Sequence, residues 1–150
     1  MDKAYQSNRW PWYVWGPTGC GKTCAMALIF ERWAESACGP AWWDASKFIL
    51  DFTRARGEGS VGAFMNSFKD MNLICLDDIG VRESTQPQTD ALLTFLNTRG
   101  ERPLIVTGNL APASLAEVLD SRVVSRLCAG VVIEVTGRDQ RLDNTISLKA

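Results

Sequence analysis

Gly16-Pro17-Thr18-Gly19-Cys20-Gly21-Lys22-Thr23 follows the apolar run Trp12-Tyr13-Val14-Trp15 and leads into a segment with Met26, Ile29, Phe30, Trp33 and Ala37 at helical spacing. The octet satisfies G-x-x-x-x-G-K-[ST] at every position, and it stands where that pattern has meaning, between a strand and an amphipathic helix. Its glycines let the backbone fold tightly, so that successive N–H groups turn inward toward phosphate oxygens. The start of the following helix adds partial positive charge. Lys22 is placed to reach the β- and γ-phosphates, and the Thr23 hydroxyl to ligate Mg²⁺. Gly16, Pro17, Thr18, Gly19, Cys20, Gly21, Lys22 and Thr23, with Cys24 in the first helical turn, form the expected phosphate-binding set for a nucleoside triphosphate. Cys20 contributes backbone to that set, and its thiol is either a reactive group in the loop or a buried one.

Further along, Leu73-Ile74-Cys75-Leu76 runs into Asp77-Asp78-Ile79-Gly80. An apolar strand ending in carboxylates meets the ligand crevice of a parallel sheet. Asp77 suits the task of holding Mg²⁺, and Asp78 that of orienting and deprotonating an attacking water. Asp is one methylene shorter than Glu, so a slow or absent hydrolysis stays open. Thr107-Gly108-Asn109 closes another apolar strand, where Asn109 either holds water near the γ-phosphate or serves as a turn residue.

Five short apolar runs read as strands: 12–15, 41–43, 73–76, 104–107 and 131–135. Segments of helical period separate them, and Asp44 suits the cap of the second helix. Two stretches, 54–62 and 81–89, read as loops. This alternation predicts a three-layer α/β sandwich.

The chain has 150 residues, enough for one domain, with 46% apolar and 22% charged residues and a net charge of −1. Near-neutral charge excludes a global field that would attract nucleic acid, so any DNA contact rests on local cations. No apolar run spans a bilayer and the first residues lack a signal-peptide pattern, which predicts a cytoplasmic protein without a membrane partner. The five cysteines (20, 24, 38, 75 and 128) contain no C-x-x-C pair, and the absence of histidine excludes a His-based triad or zinc site.

Together these residues resemble the AAA+ superfamily and, within it, the DnaC/IstB-type helicase-loader and transposition-helper ATPases. The resemblance is carried by G-P-T-G-C-G-K-T, by L-I-C-L-D-D-I-G, by L-L-T-F-L-N-T-R-G-E-R-P-L-I-V-T-G-N-L, and then by S-R-V-V-S-R-L and G-R-D-Q-R, over roughly residues 10–142. It implies a five-stranded parallel AAA+ sheet within a single core domain over 1–150. The lid domain is expected to be reduced or absent, and the family's N-terminal helicase-binding region absent.

For the site, the resemblance implies that Asn109 is the sensor-1 residue. Arg126 is implied as the arginine finger acting on ATP held by a neighbouring copy, with Arg122 as the secondary candidate. Arg138 and Arg141 are implied as sensor-2-like contacts. Homo-oligomers, single-stranded DNA and a replicative helicase or transposase are the implied partners. Lys47, Arg54, Arg56 and Lys69 are the candidate DNA cations, and Trp42, Trp43 or Phe52 either stack on bases or fill the core.

The leading expectation is thus Mg²⁺-dependent ATP hydrolysis in DNA replication, as in a DnaC-like helicase loader. Three alternatives remain: an IstB-type transposition helper, a nucleotide-switched adaptor with little hydrolysis, and a small-molecule kinase.

Overall fold

A computed structural model of the protein describes residues 9–35, 39–80 and 85–139. The strands are β1 (Trp12–Trp15), β2 (Ala41–Asp44), β3 (Ile74–Ile79), β4 (Leu104–Gly108) and β5 (Val131–Glu134). The helices are α1 (Lys22–Ala34), α2 (Ala45–Gly57), α3 (Val61–Asn66), α4 (Gln86–Arg99), α5 (Pro112–Val118) and α6 (Ser121–Leu127). The strands form one sheet in the order β2-β3-β4-β1-β5, and every adjacent pair is parallel. All strands therefore end at the same edge, where the loops that follow β1, β2, β3 and β4 gather.

Alternation along the strands sorts side chains onto two faces. Trp12, Val14, Leu73, Cys75 and Ile105 pack against Met26, Ile29, Phe30 and Trp33 of α1. Tyr13, Ile74, Leu76, Leu104 and Val106 face the other way, toward Phe48, Phe52, Phe68, Phe95, Leu115 and Leu127. The sandwich has its three layers, but they are unequal: α1 covers one face and the remaining helices share the other. β5 alternates between half-buried and exposed residues rather than being buried on both faces, because it is the sheet edge beside β1.

Both expected loops contain helix among their described residues. Arg54–Gly57 completes α2, whose last turn carries Arg54 and Arg56 against the negative end of the helix dipole. Val61 and Gly62 already belong to α3. At the second stretch, Thr85 and Gln88 exchange side-chain and backbone hydrogen bonds in a capping box, and α4 begins at Gln86; residues 81–84 lie outside the described segments. Between β4 and β5 the chain forms two short helices rather than one, since Leu119 is extended and the Asp120 side chain caps α6 by accepting from the Arg122 amide. Among the described residues no helix is long and apolar enough to cross a membrane.

Candidate functional site

At the carboxyl edge of the sheet a cavity of about 450 Å³ is lined by Thr18, Gly19, Gly21, Lys22, Thr23, Cys24, Asp44, Asp77, Asp78, Thr107 and Asn109. The loop after β1 enters α1 through Gly21, which sits in the left-handed region at φ 95° and allows the sharp entry. No side chain caps α1, so its first amides are left to an external acceptor. Lys22 is buried and folded back on the loop, its Nζ donating to Gly16 O and Pro17 O at 2.8 Å each. Cys20 is buried, with its Sγ 3.9 Å from that ammonium, whereas Cys24 is exposed.

The acid pair is divided by a bulge. Leu76 pairs with Val106 and Ile79 with Gly108, so Asp77 and Asp78 together oppose Thr107 alone. Asp78 takes φ 64°, the left-handed region that a non-glycine residue rarely enters, and is the only such residue among those described. The two carboxylates consequently point to different partners. Asp77 accepts from the Thr23 hydroxyl at 3.2 and 3.3 Å and from the Thr107 hydroxyl. Asp78 accepts from Asn109 Nδ2 at 3.0 Å, and its own amide donates to Thr107 Oγ1 at 2.9 Å. Cys75, two residues before Asp77, has its thiol pushed up to about 12 by burial and then by the Asp77 charge, so it remains a neutral core group.

Asn109 is presented by a tight crossing under its strand end. A β-carbon at Gly108 would fall 2.6 Å from the Tyr13 hydroxyl, which passes beneath to donate to Leu110 O at 2.7 Å. Burial, and secondarily Cys128, raises the Tyr13 phenol above its ordinary range.

Thr23, Asp77 and the amide-rich loop suit a Mg²⁺-bound triphosphate, since Mg²⁺ takes few protein ligands alongside phosphate oxygens. Among the described residues no group of three or more His, Cys, Asp or Glu side chains is gathered where it could hold a metal ion.

Besides Thr107, two members of this neighbourhood were not expected from the sequence. Asp44, read as a helix cap, does accept from the Lys47 amide at 2.9 Å, yet it also lines the cavity because it pairs in register with Asp77. The Asp139 carboxylate lies against Gly19, where a β-carbon would have to displace it, and the run after β5 thereby crosses the phosphate loop. No local pattern announces that contact.

The two candidate arginine fingers lie elsewhere. Arg126 is exposed on α6, donating to Asn97 Oδ1 at 2.8 Å. It lines a cavity of about 530 Å³ with Arg9, Trp10, Gly100 and Ala129, all of which precede strands. It is therefore at the opposite edge of the sheet from the phosphate loop. Arg122 is engaged with Asp120 through Nε and Nη2 at 3.0 Å each. Arg138 is exposed after β5, and Arg141 lies outside the described residues.

Of the candidate DNA cations, Lys47 pairs with Asp51 at 2.8 Å and covers the Trp43 ring, and Arg56 pairs with Asp90 at 2.6 Å. Arg54 and Lys69 are exposed. Phe52 cannot stack on bases, being 3% exposed within the aromatic core. Trp43 packs edge-on to Phe48, Phe64 and Phe68, and Trp42 to Phe30.

A family model described as the bacterial DnaA ATPase domain matches residues 2–134. The chromosomal replication initiator protein DnaA of Zymomonas mobilis is 30% identical over 146 residues, covering 93% of this chain and 29% of that protein. The chain thus spans under a third of the length of this curated relative. Among solved structures, a replication initiator DnaA bound to AMPPCP and single-stranded DNA superposes with a TM-score of 0.76 at 22% identity, over 85% of this chain and 40% of the other. The DnaC helicase loader has a TM-score of 0.73 at 18% identity, over 86% and 79% of the two chains. The AAA+ assignment therefore stands, while the DnaC/IstB-type placement within it gives way to a DnaA-type one. Short motifs shared across the superfamily do not separate these branches; the match over residues 2–134 does.

Proposed function

Because the chain belongs to the family of bacterial DnaA ATPase domains, we propose that it binds ATP with Mg²⁺ in the cavity at the carboxyl edge of its sheet and hydrolyses it in the service of DNA replication in the cytoplasm. The observation that carries this reading is the convergence of Lys22, Thr23, Asp77, Asp78 and Asn109 on one cavity from three separate strand ends.

In this reading the loop amides and the start of α1 bind the phosphates, with Lys22 leaving its two carbonyl partners to meet the β- and γ-phosphates. Thr23 and Asp77, already within hydrogen-bond reach of each other, hold Mg²⁺. When bound, the cation neutralises charge on the phosphate oxygens. Asp78 orients the attacking water and accepts its proton, and Asn109 fixes both the Asp78 carboxylate and the water.

The site is completed by a second copy. Arg126 projects from the opposite edge of the sheet, where it serves a neighbour's ATP rather than its own, with Arg122 beside it on α6. Homo-oligomers follow, and residues 1–150 supply the ATPase core of each copy. Single-stranded DNA is the polymer partner, met by Arg54 and by Lys47 and Arg56 when their carboxylate partners exchange for phosphates.

The test is phosphate release with and without single-stranded DNA, comparing the protein with Lys22→Ala. Turnover should fall on the order of 10²- to 10³-fold in the variant; equal turnover in the two sinks the site. A second reading, helicase loading, draws on the fold shared with the DnaC loader. It requires a replicative helicase to bind this chain in an ATP-dependent complex.

A further inference from the structure

Thr107 lies in the central strand β4, opposite the bulge that separates Asp77 from Asp78. Its side chain is 1% exposed. A hydroxyl has one hydrogen to donate and lone pairs to accept with. The Asp78 amide can only donate, so Thr107 Oγ1 accepts from it at 2.9 Å. The single hydroxyl hydrogen is then directed to Asp77 Oδ1. One buried oxygen thus grips the backbone of one acid and the carboxylate of the other.

This matters because the bulge is what makes the two acids different. In an unbroken strand, neighbouring side chains point to opposite faces of the sheet. Here the extra residue and the left-handed backbone of Asp78 bring both carboxylates to one cavity while giving each its own partner, Thr23 for Asp77 and Asn109 for Asp78. A left-handed non-glycine residue persists only where its surroundings hold it. The Asp78 amide donates a hydrogen bond that anchors its backbone in that conformation, and the acceptor is the same hydroxyl that orients Asp77.

We propose that Thr107 is the positioning residue of the acid pair: its hydroxyl fixes the β3 bulge so that Asp77 faces Thr23 and Asp78 faces Asn109. The inference rests on the ATPase reading for its consequence in turnover, but not for the geometry itself. Thr107 touches neither nucleotide nor water in this scheme and acts through the two aspartates.

Thr107→Val keeps the shape and removes the hydroxyl, and Thr107→Ser restores it. Hydrogen exchange of the Asp78 amide, measured by NMR on the nucleotide-free full chain, should quicken about tenfold or more in Thr107→Val and return to within about threefold of the parent in Thr107→Ser. In phosphate release, Thr107→Val should lower kcat about 100-fold while KM for ATP moves less than about threefold. It should also raise the Mg²⁺ concentration needed for half-maximal binding of an ATP analogue. Thr107→Ser should recover all three.

Parent-like exchange and kcat in Thr107→Val overturn the proposal, as does a serine variant no better than the valine one. A melting curve checks that each variant folds; if Thr107→Val does not, Thr107→Ala carries the same readouts. Should the parent protein release no phosphate, the ATPase reading falls, and the exchange measurement still decides the role of Thr107.

Discussion

The two edges of this sheet handle charge in opposite ways. At the carboxyl edge Lys22, Asp77 and Asp78 each make bonds that a ligand can replace: the lysine on two carbonyls of its own loop, Asp77 on the Thr23 hydroxyl, and Asp78 on an exposed asparagine. At the amino edge Arg99 is 1% exposed, and its guanidinium donates to Phe68 O, Met71 O and Pro103 O at 2.9, 3.1 and 2.7 Å. Those carbonyls belong to the segments entering β3 and β4, so one side chain from the end of α4 ties down two strand starts. Burial, and then Arg102, lowers its pKa to about 10, which still leaves it a cation at neutral pH. Charge meant to exchange partners is kept at the wall of the cavity, within reach of a ligand; charge meant to stay is held away from any ligand among backbone carbonyls.

Arg126 is the residue most able to break that division, because it belongs to the amino edge yet is assigned a chemical task. Arg126→Ala should lower turnover on the order of 10³-fold while leaving the melting temperature and ATP-analogue affinity near those of the parent. A variant that loses stability and keeps turnover would return Arg126 to the structural edge. Arg99→Met sharpens the contrast from the other side. Three carbonyls lose their donors, and the variant should be less stable by about 2–4 kcal/mol in denaturant titration, with nucleotide affinity within about threefold of the parent. Weakened nucleotide binding in a stably folded variant would join the two edges functionally.

The smallest effect concerns surface pairs that belong to neither category. Hydrogen bonds from the Arg122 side chain, and then from its backbone, hold the Asp120 carboxyl below its usual range. A carboxylate with a depressed folded-state pKa stabilises the fold above the unfolded value and loses that contribution as pH falls through the lower, folded one. Asp120→Asn should therefore be slightly less stable than the parent at pH 7. The gap should close as pH falls through and below the ordinary carboxylate range, read from melting temperatures across an acid series.

Much of the carboxyl edge was legible in the chain because its chemistry is local. The phosphate loop needs only consecutive residues, and strands β1, β3 and β4 are apolar enough to announce themselves. The capping box at Thr85-Gln86-Pro87-Gln88 was also written in the sequence, though its polar composition reads first as a loop. What was not legible depends on pairing between strands. The role of Thr107 follows from which residue faces a bulge, and the entry of Asp44 into the cavity from its register with Asp77. Arg99 at the end of an amphipathic helix reads as a solvated dipole partner, and only the return of two strand starts beneath it reveals a buried anchor. The contact of Asp139 with Gly19 joins distant parts of the chain and leaves no trace in either neighbourhood.

The strand order has a consequence for how the molecule is made. β1 is followed by the phosphate loop and leaves the ribosome before the other four strands, yet its neighbours in the sheet are β4 and β5, Leu104–Gly108 and Val131–Glu134. Until those segments emerge, Trp12 and Val14 have no strand beside them and the loop has no scaffold. Closing so long a span is slow compared with building the local pairs and helices in between. The first strand of the sheet to be synthesised is thus among the last to be locked, and the capacity to hold a triphosphate marks the completion of this sheet rather than its start.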